Sequence, residues 1–578
     1  MKFKLKAICA ATLYAPAILA LADNGLASYK PVTDERLKNP EPANWLHYRG
    51  NYAGWGYSPL EKINDKNVNK LRLAWSFSTG QVEGHQSPAI VNNGYMYITT
   101  PGAQTIALDA KTGAELWRYK KEISSELLQL HPTNRGVALY GDKVYVATVD
   151  AHLVALDAKT GKEVWTKPVG DWKALQYITL APLAAKGKIM VGSSGGETGV
   201  RGFVAAYDAQ TGAEAWRTFM TPAPGEPGGD SWPGEMYKTG GASIWITGTY
   251  DPATNLAFWG TGNPAPWPIH LRKGDNLYAT SVVALDVDTG KMKGYHQYHQ
   301  HDAWDWDEVS APLLIDTTVK GQPRKTAVHA GRNGYLWVLE RTNDKINFLD
   351  AHKYVLQNVF TSIDAKTGRP SYDPAKTPGT AGAVKFCPSL WGGKDWVPEA
   401  YNPKTKLFYI PANNNLCSEL PAADKEVPYK KGDLYIGYPI DGVLGSLRWE
   451  NKDAPKTIGE IQAWNISTGK QAWTHKFPTH LWGPLMTTGG NLLFAGGTND
   501  RMFRAWNATT GKVLWETTMP SGVTGVPSSY EVDGEQYVAV QAGWGVDAQR
   551  MQSGVDALLG NKVQVPQGGV LTVFKLSK

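Results

Sequence analysis

The sequence predicts an all-β chain, an eight-bladed β-propeller with Trp-docking repeats, and three observations carry that expectation. A short pattern recurs along the chain, each copy places a Gly where a tight turn needs one, and in five of seven copies a Trp follows that Gly by four residues. The first copies are Ala107-Leu108-Asp109-Ala110-Lys111-Thr112-Gly113 with Trp117, Ala155-Leu156-Asp157-Ala158-Lys159-Thr160-Gly161 with Trp165, and Ala206-Tyr207-Asp208-Ala209-Gln210-Thr211-Gly212 with Trp216. Four more follow at Asp286 with Thr289-Gly290, Asp364 with Thr367-Gly368, Asn465 with Thr468-Gly469 and Trp473, and Asn507 with Thr510-Gly511 and Trp515. Each reads as strand, turn, strand: the Asp or Asn caps the turn through its side chain and the Gly supplies positive φ. A hairpin cannot bury a tryptophan alone, so the indole plates imply stacking of neighbouring sheets in a ring.

Spacing supports this. The first turn Asp residues lie 48 and 51 positions apart, close to one four-stranded blade each, and the later gaps of 78, 78 and 101 leave room for degenerate blades around Leu73-Ala74-Trp75 and Tyr335-Leu336-Trp337. Repeats of this kind override the prior that 578 residues make about four domains of roughly 150 each.

Taken from the start, Lys2, Lys4 and Lys6 precede an apolar run that ends in Ala20-Leu21-Ala22 before Asp23. Basic head, short apolar stretch and small residues describe a secretory signal peptide over residues 1–22, leaving a single propeller domain over 23–578. No other stretch holds the roughly 20 apolar residues of a membrane span, so the expected location is the periplasm. Cleavage removes three lysines and no acid, taking the formal charge from +6 to +3, which is no nucleic-acid footprint. It also removes Cys9 and leaves Cys387 and Cys417, most simply one disulfide in an oxidising compartment. The chain has no Cys-x-x-Cys-His, so it carries no covalent c-type haem and any electrons it collects leave through a separate carrier.

The densest chemistry is His301-Asp302-Ala303-Trp304-Asp305-Trp306-Asp307-Glu308. In an extended segment Asp305 and Asp307 share one face and Trp304 and Trp306 the other, a two-carboxylate claw that a multivalent cation would relieve. Alternation also puts His299 and His301 together, but strand-edge roles suit His296, His299 and His301 better than a zinc site.

With these motifs the chain resembles the soluble quinoprotein alcohol dehydrogenases, the methanol and ethanol dehydrogenases that use pyrroloquinoline quinone (PQQ), over nearly its whole mature length. The resemblance implies PQQ and one metal ion on the propeller axis. Gly195-Gly196-Glu197 and Thr261-Gly262-Asn263 resemble the segments that supply metal ligands, here Glu197 and Asn263, and the catalytic aspartate falls on Asp305. Positions implied to hold the quinone are Gln86, Arg135, Thr179, Ser194, Gly195, Gly196, Ser243, Trp245, Arg332, Asn414 and Trp482. Arg332 falls beside the quinone carbonyl and Trp245 on the ring face. The set Glu197, Asn263, Asp305 and Asp307 is all oxygen, the choice of hard cations. Asp307 resembles the lanthanide-using branch, so a lanthanide is favoured, with Ca²⁺ the alternative.

Two departures stand out: the family commonly has Glu next to the His of Gly84-His85, where this chain has Gln86, whose neutral amide can still donate to a cofactor carboxylate. Gln129-Leu130 occupy the place where the family often has two adjacent cysteines, which leaves one ring face to Leu130 or a neighbouring loop. The implied activity is oxidation of an alcohol to an aldehyde or ketone: the metal polarises the quinone carbonyl, Arg332 steadies developing charge, and Asp305 or Glu197 takes the hydroxyl proton. Electrons then pass to cytochrome c or a similar acceptor. The competing readings are a non-catalytic propeller scaffold of the cell envelope and a PQQ sugar dehydrogenase. Trp267 and Trp544 are candidates for pocket walls.

Overall fold

A computed structural model describes residues 29–577; the expected signal peptide lies outside them. Strands dominate, arranged as seven four-stranded sheets, one five-stranded sheet and two smaller ones among the described residues. Five of the four-stranded sheets are meanders of four consecutive antiparallel strands, as short turns dictate. The first runs Ile90–Asn92, Tyr95–Thr100, Gln104–Asp109 and Glu115–Lys120, and the next begins at Val137–Tyr140. Two arrangements join the ends of the chain. Leu71–Ser78 pairs with the last strand, Val570–Leu576, and Tyr57–Ser58 runs parallel to Met486–Thr488 at the edge of the five-stranded sheet.

The turns form as their residues require. Asp109 Oδ1 accepts from the backbone N–H groups of Lys111 and Thr112 at 2.7 and 2.9 Å, and the same side-chain cap recurs at Asp157, Asp208, Asp286, Asp364, Asn465 and Asn507. Gly113 and its counterparts have φ between +62° and +77°, left-handed backbone that a β-carbon disfavours. At Gly161 a second reason applies: a β-carbon there would stand 2.5 Å from the ring of Trp117. Trp117 also donates its indole N–H to Ala158 O in that same turn, 3.1 Å away. Trp165, Trp216 and Trp473 meet Gly212, Gly290 and Gly511 in the same manner, while Gly368 meets Phe348 and His296, and Gly469 meets His352.

Two departures from regular sheet matter. Val384–Phe386, Leu416–Leu420 and Leu447–Trp449 form a separate three-stranded sheet, and Cys387 and Cys417 are disulfide-bonded beside it, as expected from the cysteine count. The other is a 15-residue helix, Gly545–Leu559, whose Ala548, Met551 and Val555 are buried in one cluster with Trp396, Trp482 and Trp544.

Candidate active site

A cavity enclosed by loops between the sheets gathers side chains from residue 131 to residue 550. Its floor is polar. Arg135, just ahead of Val137–Tyr140, is buried, donates to Thr179 Oγ1 at 2.5 Å, and lies 5.1 Å from the Trp245 ring and 4.7 Å from that of Trp396. Thr179 in turn meets Ser194 at 3.3 Å. Gly195, with φ +107°, leads into the single 3-10 turn Gly196–Thr198 that presents Glu197 to the cavity. A β-carbon on Gly196 would stand 3.0 Å from Asn263 Oδ1 and 3.1 Å from Ser243 Oγ, so Gly196, Ser243 and Asn263 meet just behind the lining.

The acidic stretch is not a strand. Asp305 has φ +60° and His301 φ +51°, which breaks strict alternation. Asp305 and Asp307 nevertheless both face the cavity, and Trp304 and Trp306 stack away from it with centroids 5.0 Å apart. What bends the segment is Asp302, a buried carboxylate that accepts from the backbone N–H of Asp305 at 3.1 Å and pairs with His299 at 3.0 Å. The histidines therefore serve the frame, though not at a strand edge: His299 is buried against Asp302 and Glu308, and His301 lies 3.1 Å from Ile269 O. Only His296 sits in a strand, Met292–Gln297.

Asp307 turns inward. It accepts from Asn263 N through one oxygen and from Trp245 Nε1 through the other, the latter at 3.0 Å. Arg332 donates to Asp305 O at 2.9 Å and to Asp395 Oδ1 at 2.8 Å, and lies 3.7 Å from Asp307 Oδ2. Burial drives the Asp305 carboxyl well above its ordinary range, and the neighbouring Asp307 adds to this. Burial likewise raises Asp307 to about 7, even though Arg332 pulls it down. Arg332 is held cationic: burial opposes its charge, but Asp395, Asp307 and Asp305 more than offset that.

Several buried polar atoms here have no protein partner: Asn263 Oδ1, Asp305 Oδ1, Arg135 Nε and Arg332 Nε. Unpaired oxygens of this kind, among carboxyls reluctant to ionise, fit a cation as the missing partner. The free guanidinium N–H groups fit a ligand that carries carboxylates. Among the described residues no three His, Cys, Asp or Glu side chains already converge as a closed metal cluster, so the donors are neighbours rather than a preformed cage.

Not every expected residue reaches the cavity. Trp482 and Trp267 line it. Gln86 is buried without lining it, Trp544 sits behind it, and Asn414 is engaged elsewhere, with Leu356 N at 2.8 Å and Glu460 Oε1 at 3.3 Å. Asp395, not Asn414, is the polar group beside Arg332. Motif reading also missed Tyr177, His131, Asp547 and Arg550, all lining residues. Leu130 does not line the cavity, whereas its neighbour His131 does. Apolar side chains also line it, among them Leu390, Trp391, Val443 and Leu444.

The unpartnered buried oxygens and guanidinium N–H groups define the cavity as a ligand-binding site. The match to known proteins makes it specific. The model of the PQQ-dependent glucose/ethanol/alcohol dehydrogenase β-propeller domain matches residues 45–348 and 476–538. Quinoprotein alcohol dehydrogenase PedH of Pseudomonas putida is 37% identical over 585 residues, covering 96% of this chain and 95% of PedH. Subunit 1 of methanol dehydrogenase [cytochrome c] from Methylorubrum extorquens is 35% identical over 564 residues, covering 92% of this chain and 88% of the subunit. A solved europium-containing methanol dehydrogenase superposes with a TM-score of 0.87 at 34% identity, over 94% of this chain and all of that one. The chain belongs to the PQQ-dependent alcohol dehydrogenase family, which rules out the scaffold reading.

Proposed function

We propose that this PQQ-dependent alcohol dehydrogenase oxidises its substrate over the floor described above, with Asp305 as the base and Glu197, Asn263, Asp305 and Asp307 as the ligands of one metal ion. The quinone, when bound, supplies the two-electron acceptor. Asp305, buried on the floor and ionised, would take the alcohol proton, and Arg332 fixes its position through the Asp305 carbonyl and stays cationic beside the developing charge. Arg135, Thr179 and Ser194 would hold cofactor carboxylates, and the apolar side chains of Leu390, Trp391, Val443 and Leu444 would accommodate the alcohol's carbon chain. Gly195, Gly196 and Ser243 would support that edge, and Trp245 and Trp482 would pack against the quinone. Gln86 and Asn414 have no direct part in this arrangement.

The observation that carries the metal assignment is the pair of buried, unpartnered oxygens on Asn263 and Asp305 beside an inward Asp307. Glu197, Asp305, Asp307 and a quinone carboxylate bring four negative charges together, which a trivalent lanthanide offsets better than Ca²⁺. A europium-containing relative supports that choice. The eight sheets of four or five strands are read as eight blades of one domain, with Trp117, Trp165, Trp216 and Trp473 docking each on the next. The basic, apolar leader supports export to the periplasm. A cytochrome c is the proposed acceptor, as the name of the Methylorubrum relative suggests. No described helix is long and apolar enough to cross a membrane.

Metal-free protein mixed with PQQ and either La³⁺ or Ca²⁺ tests the reading by cofactor absorbance and by dye reduction with a panel of alcohols. Wild type is expected to prefer La³⁺ and Asp307→Ala to lose that preference. Equal activity with both ions, unchanged in the variant, would remove Asp307 from the ligand set.

A further inference from the structure

Two segments far apart in sequence meet over the cavity. The loop that carries His131 comes from the ascending part of the chain and the helix Gly545–Leu559 from its last tenth. His131 Nδ1 lies 2.8 Å from Asp547 Oδ1, across 416 residues. Arg550 closes the contact: it donates to Asp547 Oδ1 at 3.3 Å and to Leu130 O at 3.4 Å. His131 also lies nearly parallel to Tyr177, with centroids 6.3 Å apart, and all four side chains line the cavity.

The helix is otherwise held at its start and along one face. Glu83 accepts from Val546 N at 2.9 Å and Gln567 from Gly545 N at 3.0 Å. Ala548, Met551 and Val555 pack into the tryptophan cluster that includes Trp396 and Trp482. It is thus a roof lying on cavity residues, and its one polar tie to the facing 130–131 loop is the Asp547 and Arg550 contact. Asp547 sits in the first helical turn, where the helix dipole favours a carboxylate. His131 pulls its pKa down against the effect of burial. Burial opposes a charge on His131, and the Arg550 guanidinium opposes it further, but the Asp547 carboxylate beside the ring more than offsets both and moves its pKa upward. The His131 side chain is 38% exposed and that of Asp547 14%, so this charge-assisted hydrogen bond lies at the edge of the cavity.

We propose that His131, Asp547 and Arg550 form a clasp that shuts the helix over the cavity and retains the bound quinone. The proposal rests on the PQQ reading given above. These are positioning residues: they hold loop and helix together and take no part in proton or hydride transfer.

The test follows release of PQQ from loaded holoenzyme, as free cofactor recovered by gel filtration over time. His131→Gln and Asp547→Asn are each expected to release PQQ about tenfold faster than wild type, equivalent to roughly 1.4 kcal/mol at 25 °C. The double variant should release no faster than Asp547→Asn alone, because that change already disrupts the contact that His131→Gln removes. His131→Lys, which keeps a cation facing Asp547, should restore slow release. Melting temperatures of the metal- and PQQ-free variants should stay close to wild type, which separates a clasp from a general packing role. Wild-type release rates in both single variants, additive effects in the double, or failure of the lysine to rescue would each overturn the clasp. A wild-type protein that takes up no PQQ would overturn the cofactor reading along with it.

Discussion

In the turn at Asp157 the carboxylate accepts from Thr160 N–H at 2.9 Å and from the Thr160 hydroxyl at 2.8 Å, while Trp117 packs on the Gly161 that closes the turn. On the cavity floor Asp305 has the same side chain, one oxygen buried with no partner, a left-handed backbone and a second aspartate for a neighbour. The turn satisfies its own polar groups within four residues, so a local pattern specifies it and the pattern can repeat. The floor leaves groups unsatisfied and crowds like charges, which costs stability and is sustained only because a rigid ring surrounds it. The difference separates what the chain builds for shape from what it builds for chemistry.

The largest effect should come from the floor. Asp305→Asn keeps the volume and one oxygen but removes the charge and the base. Turnover should fall by about 10²–10⁴-fold while the circular dichroism and melting temperature of the cofactor-free protein hold. The same change at Asp157, where the side chain only caps a turn, should leave turnover near wild type, because Asn fills that role at Asn465 and Asn507. Near-normal turnover of the Asp305 variant with cofactor bound would erase the contrast.

The ring should respond in the opposite sense. Trp117→Ala removes a buried indole and its hydrogen bond to Ala158 O and should cost about 3–5 kcal/mol. Gly161→Ala should be damaging from the other side of the same contact, through positive φ and a β-carbon driven into the Trp117 ring. Unfolding monitored by denaturant should show both losses, with PQQ-loaded turnover at low temperature little changed.

The sequence made these two regions unequally readable. The turns were legible because cap, Gly and Trp lie within nine residues of one another, from Asp109 to Trp117. The floor was legible in part: Asp305 and Asp307 were placed together by assuming a strand, and they do face the cavity, but through a bend set by Asp302. Arg135, Thr179, Ser194, Gly195, Glu197, Trp245, Arg332 and Trp482, distant in sequence, all line one cavity. His131 and Asp547 were invisible because their pairing exists only once the ring has closed, and no local pattern encodes a contact across 416 residues. Asn414 does not line the cavity. An Asn in a loop offers no sign of which partner it takes, and here Leu356 N and Glu460 take it while Asp395 reaches Arg332.

The smallest effect concerns the sheet that stands apart from the ring. Val384 pairs with Leu420 and Phe386 with Ser418, so one further step of the same antiparallel register sets Cys387 opposite Cys417, where the disulfide is. The bridge closes a loop of 30 residues, for which the chain-entropy estimate is about 3–4 kcal/mol. The strands already align its ends, so the measured loss should fall at or below that figure. Asp395, which holds Arg332, follows Cys387 by eight residues, yet it is fixed mainly by Arg332 and by the backbone N–H of Trp396. Reduction, or a Cys387→Ser/Cys417→Ser pair, should therefore lower the denaturation midpoint and leave turnover within a few-fold of wild type. Intact-mass measurement of the oxidised protein should find no free thiol. A reduced protein that keeps its midpoint but loses turnover would place the bridge with the floor rather than with the frame.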